Sequence, residues 1–196
     1  MLLALLVAAM LLYAGGLRNP FLIDDLDAIV AHPQVLDGSA SSFASVWVSD
    51  YWAGRSPEDR NLYRPVTVAS YWLNARMTGL SPAGFRVVNV ALLALLAWLV
   101  WLLLRGASAS VTRERDGDLG QPRDDLRAAA EPRMYMRGFG SDVIAAVVAL
   151  LFLAHPAHAT VVENVIGRAD LLAMAGVLGC VVLLLQWTGR GGGGGG

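Results

Sequence analysis

The sequence predicts an all-α membrane protein with about four transmembrane helices and a non-cytoplasmic loop carrying interfacial amphipathic helices. Three observations predict it. Hydrophobic residues make up 56% of the 196 residues, above the share of about 45–50% usual in soluble domains, and the mean hydropathy is +0.52. Long runs pass without a charge, as helices crossing a hydrocarbon layer require. Polar residues gather between those runs rather than within them. The charge balance excludes one class of partner: a net charge of −1 gives no electrostatic footprint for nucleic acid. All fifteen basic residues are arginine, which reads as biased composition rather than a phosphate-binding design. The single cysteine, Cys180, lies in an apolar run; it reads as a small packing residue with no partner for an internal disulfide.

Residues 1–17 carry no charge and are just long enough to span with little tilt. A cleaved signal peptide competes with that reading. No basic segment precedes the apolar run, and Tyr13-Ala14-Gly15-Gly16 matches a cleavage site only loosely, so we read an uncleaved first helix. Phe21 to Ile29 follows, with Asp24 and Asp25 adjacent. Neighbouring carboxylates repel each other and resist desolvation beside lipid. They read either as a solvated helix start, one of them the N-cap, or as a site needing one base and one supporting acid or metal ligand.

In the loop that follows, Phe43, Val46 and Trp47 recur at helical spacing, and Tyr51 and Trp52 extend the set. This predicts a short amphipathic helix in the headgroup layer. Residues 55–61 read as a polar turn. Tyr63-Arg64-Pro65 then opens a second amphipathic helix, with Pro65 at the first helical position, Val66, Ala69, Leu73 and Met77 on one face, and Gly79 as its stop. Ser81-Pro82 restarts the chain into a span over 83–104, in which Asn89 is polar and after which Arg105 marks the opposite surface.

Residues 106–142 mix charges without periodicity and read as a cytoplasmic disordered linker. The apolar run 143–154 is too short to cross alone; extended to 139–162, past Pro156, it makes a third span. Residues 171–187 make the fourth. Residues 188–196 are a Gly-rich tail, read as flexible or as the scar of a truncated reading frame; with the abrupt start it suggests a fragment. Residues 1–187 thus read as one partial membrane domain. The linker is denser in arginine than the longer loop before Pro82. The positive-inside bias then puts the linker in the cytoplasm and the acidic pair, Tyr63-Arg64-Pro65 and the segment His155 to Asp170 on the other face.

That last segment is a dense polar cluster between two spans, a functional candidate by default. His155 and His158 lie one turn apart, as metal ligands can, although a helix-end histidine bonded to a carbonyl is commoner. Arg168 and Asp170 also fit a plain surface ion pair. The metal stays unassigned, with a divalent cation among the possibilities.

Three stretches together resemble one family, the transmembrane and tetratricopeptide-repeat O-mannosyltransferases and their bacterial relatives, of the GT-C membrane glycosyltransferases. They are Phe21 to Ile29; Leu62 to Asn89, with Tyr-Arg-Pro, Leu-Asn and Gly-Leu-x-Pro-x-x-Phe; and Leu151 to Leu172, with His-Pro-x-His and Gly-Arg-Ala-Asp-Leu-Leu. This chain departs from the pattern at Arg86 and Leu93, where the family often has histidine, and in the length of its linker. The family also continues with further membrane helices and helical repeats that these residues do not include.

The resemblance implies inverting transfer of a sugar, typically mannose, from a polyprenyl-phosphate donor to a protein Ser or Thr hydroxyl. It implies an integral membrane protein of a bacterial inner membrane or the endoplasmic reticulum, with a periplasmic or lumenal active face. Asp24 is then the expected base, Asp25 orients it or holds a cation, and Arg64 and Arg168 are the cations for the donor's phosphate. Tyr63, His155, His158, Glu163 and Asp170 are further site candidates, and Asp27 is expected to point elsewhere. The competing readings are a catalytically silent membrane module that packs against partner subunits and half of a transporter.

Overall fold

The computed structural model describes residues 1–56, 58, 61–118 and 140–191. Among them the structure is all-helical. Helix α1 (Leu2–Tyr13) tightens into a last turn over Ala14–Arg18. Three short helices follow, α2 (Ile23–Asp25), α3 (Pro33–Asp37) and α4 (Ala40–Ser45), then α5 (Pro65–Thr78) and the long α6 (Pro82–Asp118). Beyond residue 139 come α7 (Gly140–Leu153), α8 (Ala157–Glu163) and α9 (Arg168–Gly191).

Two helical stretches, Pro82–Ala107 and Val165–Thr188, are long and apolar enough to cross a membrane. The number rises to four if two bent pairs each count as one span. In one, Leu2–Arg18 meets Ile23–Val30 at 87°; in the other, Gly140–Leu153 meets Ala157–Glu163 at 59°. The second bend falls at Pro156, where the missing N–H and the ring break a continuous helix. The first thirteen residues of the expected linker, 106–118, are helical, a continuation of α6. No proline interrupts them, and alanine, arginine and glutamate sustain a helix. Residues 119–139 of that linker, and 192–196 of the expected tail, lie outside the described residues.

Helix α6 is the axis: α1 and α9 pack along it. Leu5, Ala9, Val90, Leu93, Ala94, Ala97, Ala149 and Leu153 form one buried cluster with Val162 and Leu171. Alanine on three of these helices lets their backbones approach, the packing mode available where lipid removes the hydrophobic drive between helices. At one end of the bundle Tyr13 donates to the Leu153 carbonyl at 2.9 Å. At the other, Arg105 pairs with Asp142 at 2.7 Å.

A second core sits over the Tyr13 end. Ala28, Ile29, Val35, Val46, Tyr51, Val68, Tyr71, Phe85 and Val165 join the loop helices to α5 and to the starts of α6 and α9. Asp50 organises this layer by accepting from the N–H groups of Trp52 (2.7 Å) and Leu62 (2.8 Å). The Tyr51 N–H bonds the Leu62 carbonyl at 2.7 Å. The turn so formed lies against the chain after the acidic pair: a Cβ on Gly54 would stand 2.5 Å from the Asp27 carbonyl oxygen, so only glycine permits the approach. Helix α5 buries Thr67, Val68, Tyr71 and Asn74. It leaves Val66, Leu73 and Met77, from the stripe expected to be apolar, exposed.

Candidate functional site

The acidic pair is divided between two environments. Asp25 is fully buried. One carboxylate oxygen reaches back to the Leu22 N–H at 3.1 Å and caps its own helix; the other accepts from the Ile166 N–H at 3.0 Å, 141 residues along the chain. It thereby ties the first loop to the connection between α8 and α9. Burial raises the Asp25 carboxyl above its ordinary value of 3.8, against the pull of backbone N–H groups and of Arg86. A folded value above the unfolded one means that the fold holds this proton more tightly. Asp25 therefore disfavours folding increasingly as pH climbs from the unfolded value through the folded one, and charging it at neutral pH is a standing cost.

Asp24 faces the other way. Its side chain is 47% exposed and accepts from Arg55 Nη2 at 2.7 Å. Arg55 Nε holds Asp27 at 2.8 Å, so Asp27 does not point elsewhere: it shares a cation with Asp24. A wide turn over Leu26–Val30, closed by the Ala31 N–H on the Leu26 carbonyl at 2.7 Å, follows directly. Such π-type turns occur often at functional sites. The Arg55 guanidinium lies 3.8 Å from the centroid of the Trp52 ring.

Two arginines are fully buried beneath this surface. Arg86 donates to the carbonyls of Glu163 (2.9 Å), Asn19 and Pro20 (2.6 Å), joining the exit of the first helix to the end of α8. Arg168 donates from Nε to Asn89 Oδ1 (2.9 Å), from Nη2 to Asn74 Oδ1 and the Phe85 carbonyl (both 2.8 Å), and from Nη1 to Ser70. Tyr71 and Phe85 flank its guanidinium, with ring centroids 5.0 and 5.3 Å away. Asn89 completes the knot by donating to the carbonyls of Val161 (3.0 Å) and Val165 (3.2 Å). All three guanidinium nitrogens of Arg168 thus have acceptors within the protein.

Arg64 is placed differently. It lines a cleft of about 380 Å³ between the starts of α5 and α9, together with Pro65, Thr67, Ala169, Asp170 and Leu172. Its guanidinium lies 5.4 Å from the Tyr51 ring centroid. Tyr51 and Tyr71 share a 3.3 Å hydroxyl contact. Burial pushes the Tyr51 phenol up, the cation of Arg64 opposes that, and Asp25 and Asp24 add to it, so all three charges reach this ring.

Tyr63 is exposed and donates to the Trp47 carbonyl at 2.7 Å. His155 and Glu163 are exposed and His158 is half-buried. The two imidazole centroids are 6.0 Å apart, and His158 lies against Phe152. Among the described residues no three His, Cys, Asp or Glu side chains converge as metal ligands do. The structure therefore gathers the acidic pair, Tyr63-Arg64-Pro65 and the His155-to-Asp170 segment at one end of the bundle. It presents Asp24 and Arg64 outward and turns Asp25 and Arg168 inward. Sequence reasoning missed Arg55, which stands in a polar turn without periodicity, and the bracing role of Arg86. A charge at the start of an apolar span was the available signal for Arg86.

Comparison with known proteins points one way. The chain is 32% identical over 183 residues to the protein O-mannosyl-transferase TMTC1 of Mus musculus, covering 92% of this chain and 15% of that protein. It is 31% identical over 170 residues to the human protein O-mannosyl-transferase TMTC4, covering 84% and 20%. It is 29% identical over 185 residues to the protein O-mannosyl-transferase F38B6.6 of Caenorhabditis elegans, covering 93% and 22%. The chain thus spans between 15% and 22% of the length of these relatives. No family model matches it, and no solved structure does.

Proposed function

We propose that this chain is the N-terminal part of a GT-C membrane glycosyltransferase that moves mannose from a polyprenyl-phosphate donor to a protein Ser or Thr hydroxyl with inversion. Residues 1–187 form its partial membrane domain, and residues 18–82 face the periplasm or the lumen. The observation that carries the reading is the splitting of the acidic pair: Asp25 is locked inward by backbone N–H groups, so Asp24 stands half-exposed at the end of the bundle where every polar cluster meets.

In that position Asp24 takes the proton of the acceptor hydroxyl as its oxygen attacks the anomeric carbon. The bond from that carbon to the phosphate oxygen breaks, and its electron pair leaves with the polyprenyl phosphate, as in single-displacement sugar chemistry. The leaving group gains negative charge and needs a cation. Arg64 supplies it from the wall of a largely apolar cleft, a surface suited to a phosphate carrying a hydrocarbon tail. Asp170 in the same wall orients the sugar rather than the phosphate. Trp47, Val48, Tyr63 and Val66 are exposed, with Val66 in the cleft wall and Tyr63 bonded to the Trp47 carbonyl; they settle into the headgroup layer, where aromatic side chains with polar edges are favoured. His155, His158 and Glu163 remain available for the acceptor or a divalent cation. The second reading, a silent membrane module, draws on the exposed apolar residues of α1, α7 and α9.

The test is transfer of labelled mannose from a polyprenyl-phosphate donor to a Ser/Thr peptide by the longer protein carrying this region. Arg64→Gln is expected to raise the donor KM about tenfold, the scale of one charge-assisted contact. No transfer by the unaltered protein would favour the silent module. The shared face has its own check. In a Cys180→Ser background, a cysteine at Ser41 is expected to react with an impermeant maleimide added from the periplasmic or lumenal side; labelling from the cytoplasm alone would put the acidic pair on the wrong face.

A further inference from the structure

Asp25 and Arg168 are fully buried charges of opposite sign, and among the described residues neither makes a direct ion pair. Asp25 accepts from two backbone N–H groups, and every acceptor on Arg168 is neutral. A buried charge without compensation is expensive. A chain of hydrogen bonds joins the two. Arg168 Nε donates to Asn89 Oδ1 at 2.9 Å, and Asn89 Nδ2 donates to the Val165 carbonyl at 3.2 Å. The other edge of that same peptide group is the Ile166 N–H, which donates to Asp25 Oδ1 at 3.0 Å. Every bond points from the cation toward the carboxylate. Both intermediate groups are amides: a donor on the oxygen draws electron density and makes the N–H a stronger donor, so bonds in series polarise one another. The link at residue 89 needs one acceptor and one donor on a single short planar group, which asparagine has. Tyr71 donates to the same Val165 carbonyl at 3.3 Å, but as a neutral hydroxyl. The charged and titratable groups around Asp25 are Asp24 beside it, Arg86 on α6, Tyr71 on α5, Tyr51 in the loop and Arg168 on α9. Of the two buried cations, Arg86 gives its N–H groups to the carbonyls of Asn19, Pro20 and Glu163, so its charge reaches Asp25 only through space.

We infer that Arg168 is the counter-ion of Asp25, acting through Asn89 and the Val165–Ile166 peptide group rather than by contact, and that this bridge keeps Asp25 ionised in the folded protein. Arg168 and Asn89 are then positioning residues for the acidic pair. They hold its inward member as an anion on the Leu22 and Ile166 N–H groups, and thereby fix where its outward member stands. Arg168 takes no share in binding the donor phosphate. The role in catalysis rests on the proposed transfer reaction; the bridge itself does not.

The experiment follows the Asp25 carboxyl by infrared difference spectroscopy on the purified longer protein carrying this region, in detergent, as the pH is lowered from neutral. The C=O stretch of a protonated carboxyl that is missing in Asp25→Asn identifies it. In the wild type that band is expected to be absent at neutral pH and to grow as the pH falls. Asn89→Leu is expected to raise the proton affinity of Asp25 about three- to tenfold, because the carboxylate loses a polarised donor. Asn89→Ser, a milder change, is expected to shift it in the same sense. Tyr71→Phe removes a neutral donor from the same carbonyl and is expected to shift it less than about twofold. Thermal unfolding gives the charge-specific check. A raised folded midpoint in Asn89→Leu means a loss of stability that is larger at neutral pH than in acid, where Asp25 is protonated in either protein. That excess is expected to vanish in an Asp25→Asn background. An Asp25 carboxyl protonated at neutral pH in the wild type overturns the inference without any variant at residue 89. So does an unmoved Asp25 midpoint in the residue 89 variants, the result of an asparagine that merely supports the fold. In transfer assays Asn89→Leu is expected to lower kcat and leave the donor KM within about twofold; a raised KM at unchanged kcat overturns the positioning role. Absence of transfer by the wild type overturns the transferase reading and leaves the bridge standing on the infrared titration.

Discussion

Asp24→Asn is expected to reduce sugar transfer by about 10²–10⁴-fold, the usual contribution of a positioned general base, while the protein unfolds at an unchanged temperature. The substitution keeps size and one hydrogen-bond acceptor but removes the basic oxygen. Its partner Arg55 keeps Asp27, and a half-exposed ion pair is worth only about 0.2–1 kcal/mol, so the fold has little to lose. Asp25→Asn separates the two roles. The amide can accept from Leu22 or Ile166 but presents its NH₂ to the other N–H. Stability then falls along with transfer. The measurements are initial rates with a polyprenyl-phosphate donor and thermal unfolding of the same preparations. Near-normal transfer by Asp24→Asn would remove it as base.

Arg168→Met is expected to destabilise the protein by about 4 kcal/mol or more, with little folded material recovered from the membrane. Methionine fills part of the volume, but the oxygens of Asn89, Asn74, Phe85 and Ser70 lose their donor. Each buried group left unpaired costs about 1–3 kcal/mol, and losses above about 4 kcal/mol arise from this short list of causes. Arg168→Lys is expected to recover only part of the loss, because an ammonium cannot reproduce a planar five-donor fork. Thermal unfolding in detergent orders the three proteins. Wild-type stability in Arg168→Met together with a raised donor KM would instead make Arg168 a phosphate ligand.

The helical class and the spans were legible because hydrocarbon forces long uncharged runs, and 82–107 and 165–188 stand out by length alone. Residues 1–17 and, past Pro156, 139–162 were read as spans too; in the structure the helix ending at Arg18 meets Ile23–Val30 at 87°, and the one ending at Leu153 meets Ala157–Glu163 at 59°. In α5 the stripe of Val66, Leu73 and Met77 was legible as an apolar face, and it is exposed; the burial of Thr67, Tyr71 and Asn74 on the other side was not legible. Asn74 accepts from Arg168 and Tyr71 donates to the Val165 carbonyl, both 94 positions away, and periodicity carries no information about such partners. The acidic pair was visible as a pair. Which member faces outward was not, since that depends on the Ile166 N–H, 141 residues distant. Arg55 gave no sign because one arginine in a polar turn looks like any other.

The arginine knot also sets an order for biogenesis. Every acceptor on Arg168 belongs to residues 70–89, so the socket leaves the ribosome first and its occupant arrives 79 residues after Asn89. At about 5–20 residues per second the interval is roughly 4–16 s. During it Asn74 and Asn89 sit beside the bilayer with their side-chain oxygens unclaimed by Arg168, dependent on water at the surface or on the insertion machinery. Closure of the layer over the Tyr13 end of the bundle is thus a late event, triggered when α9 enters. Nascent chains stalled before Arg168 would present an open, polar-lined gap for quality control to recognise.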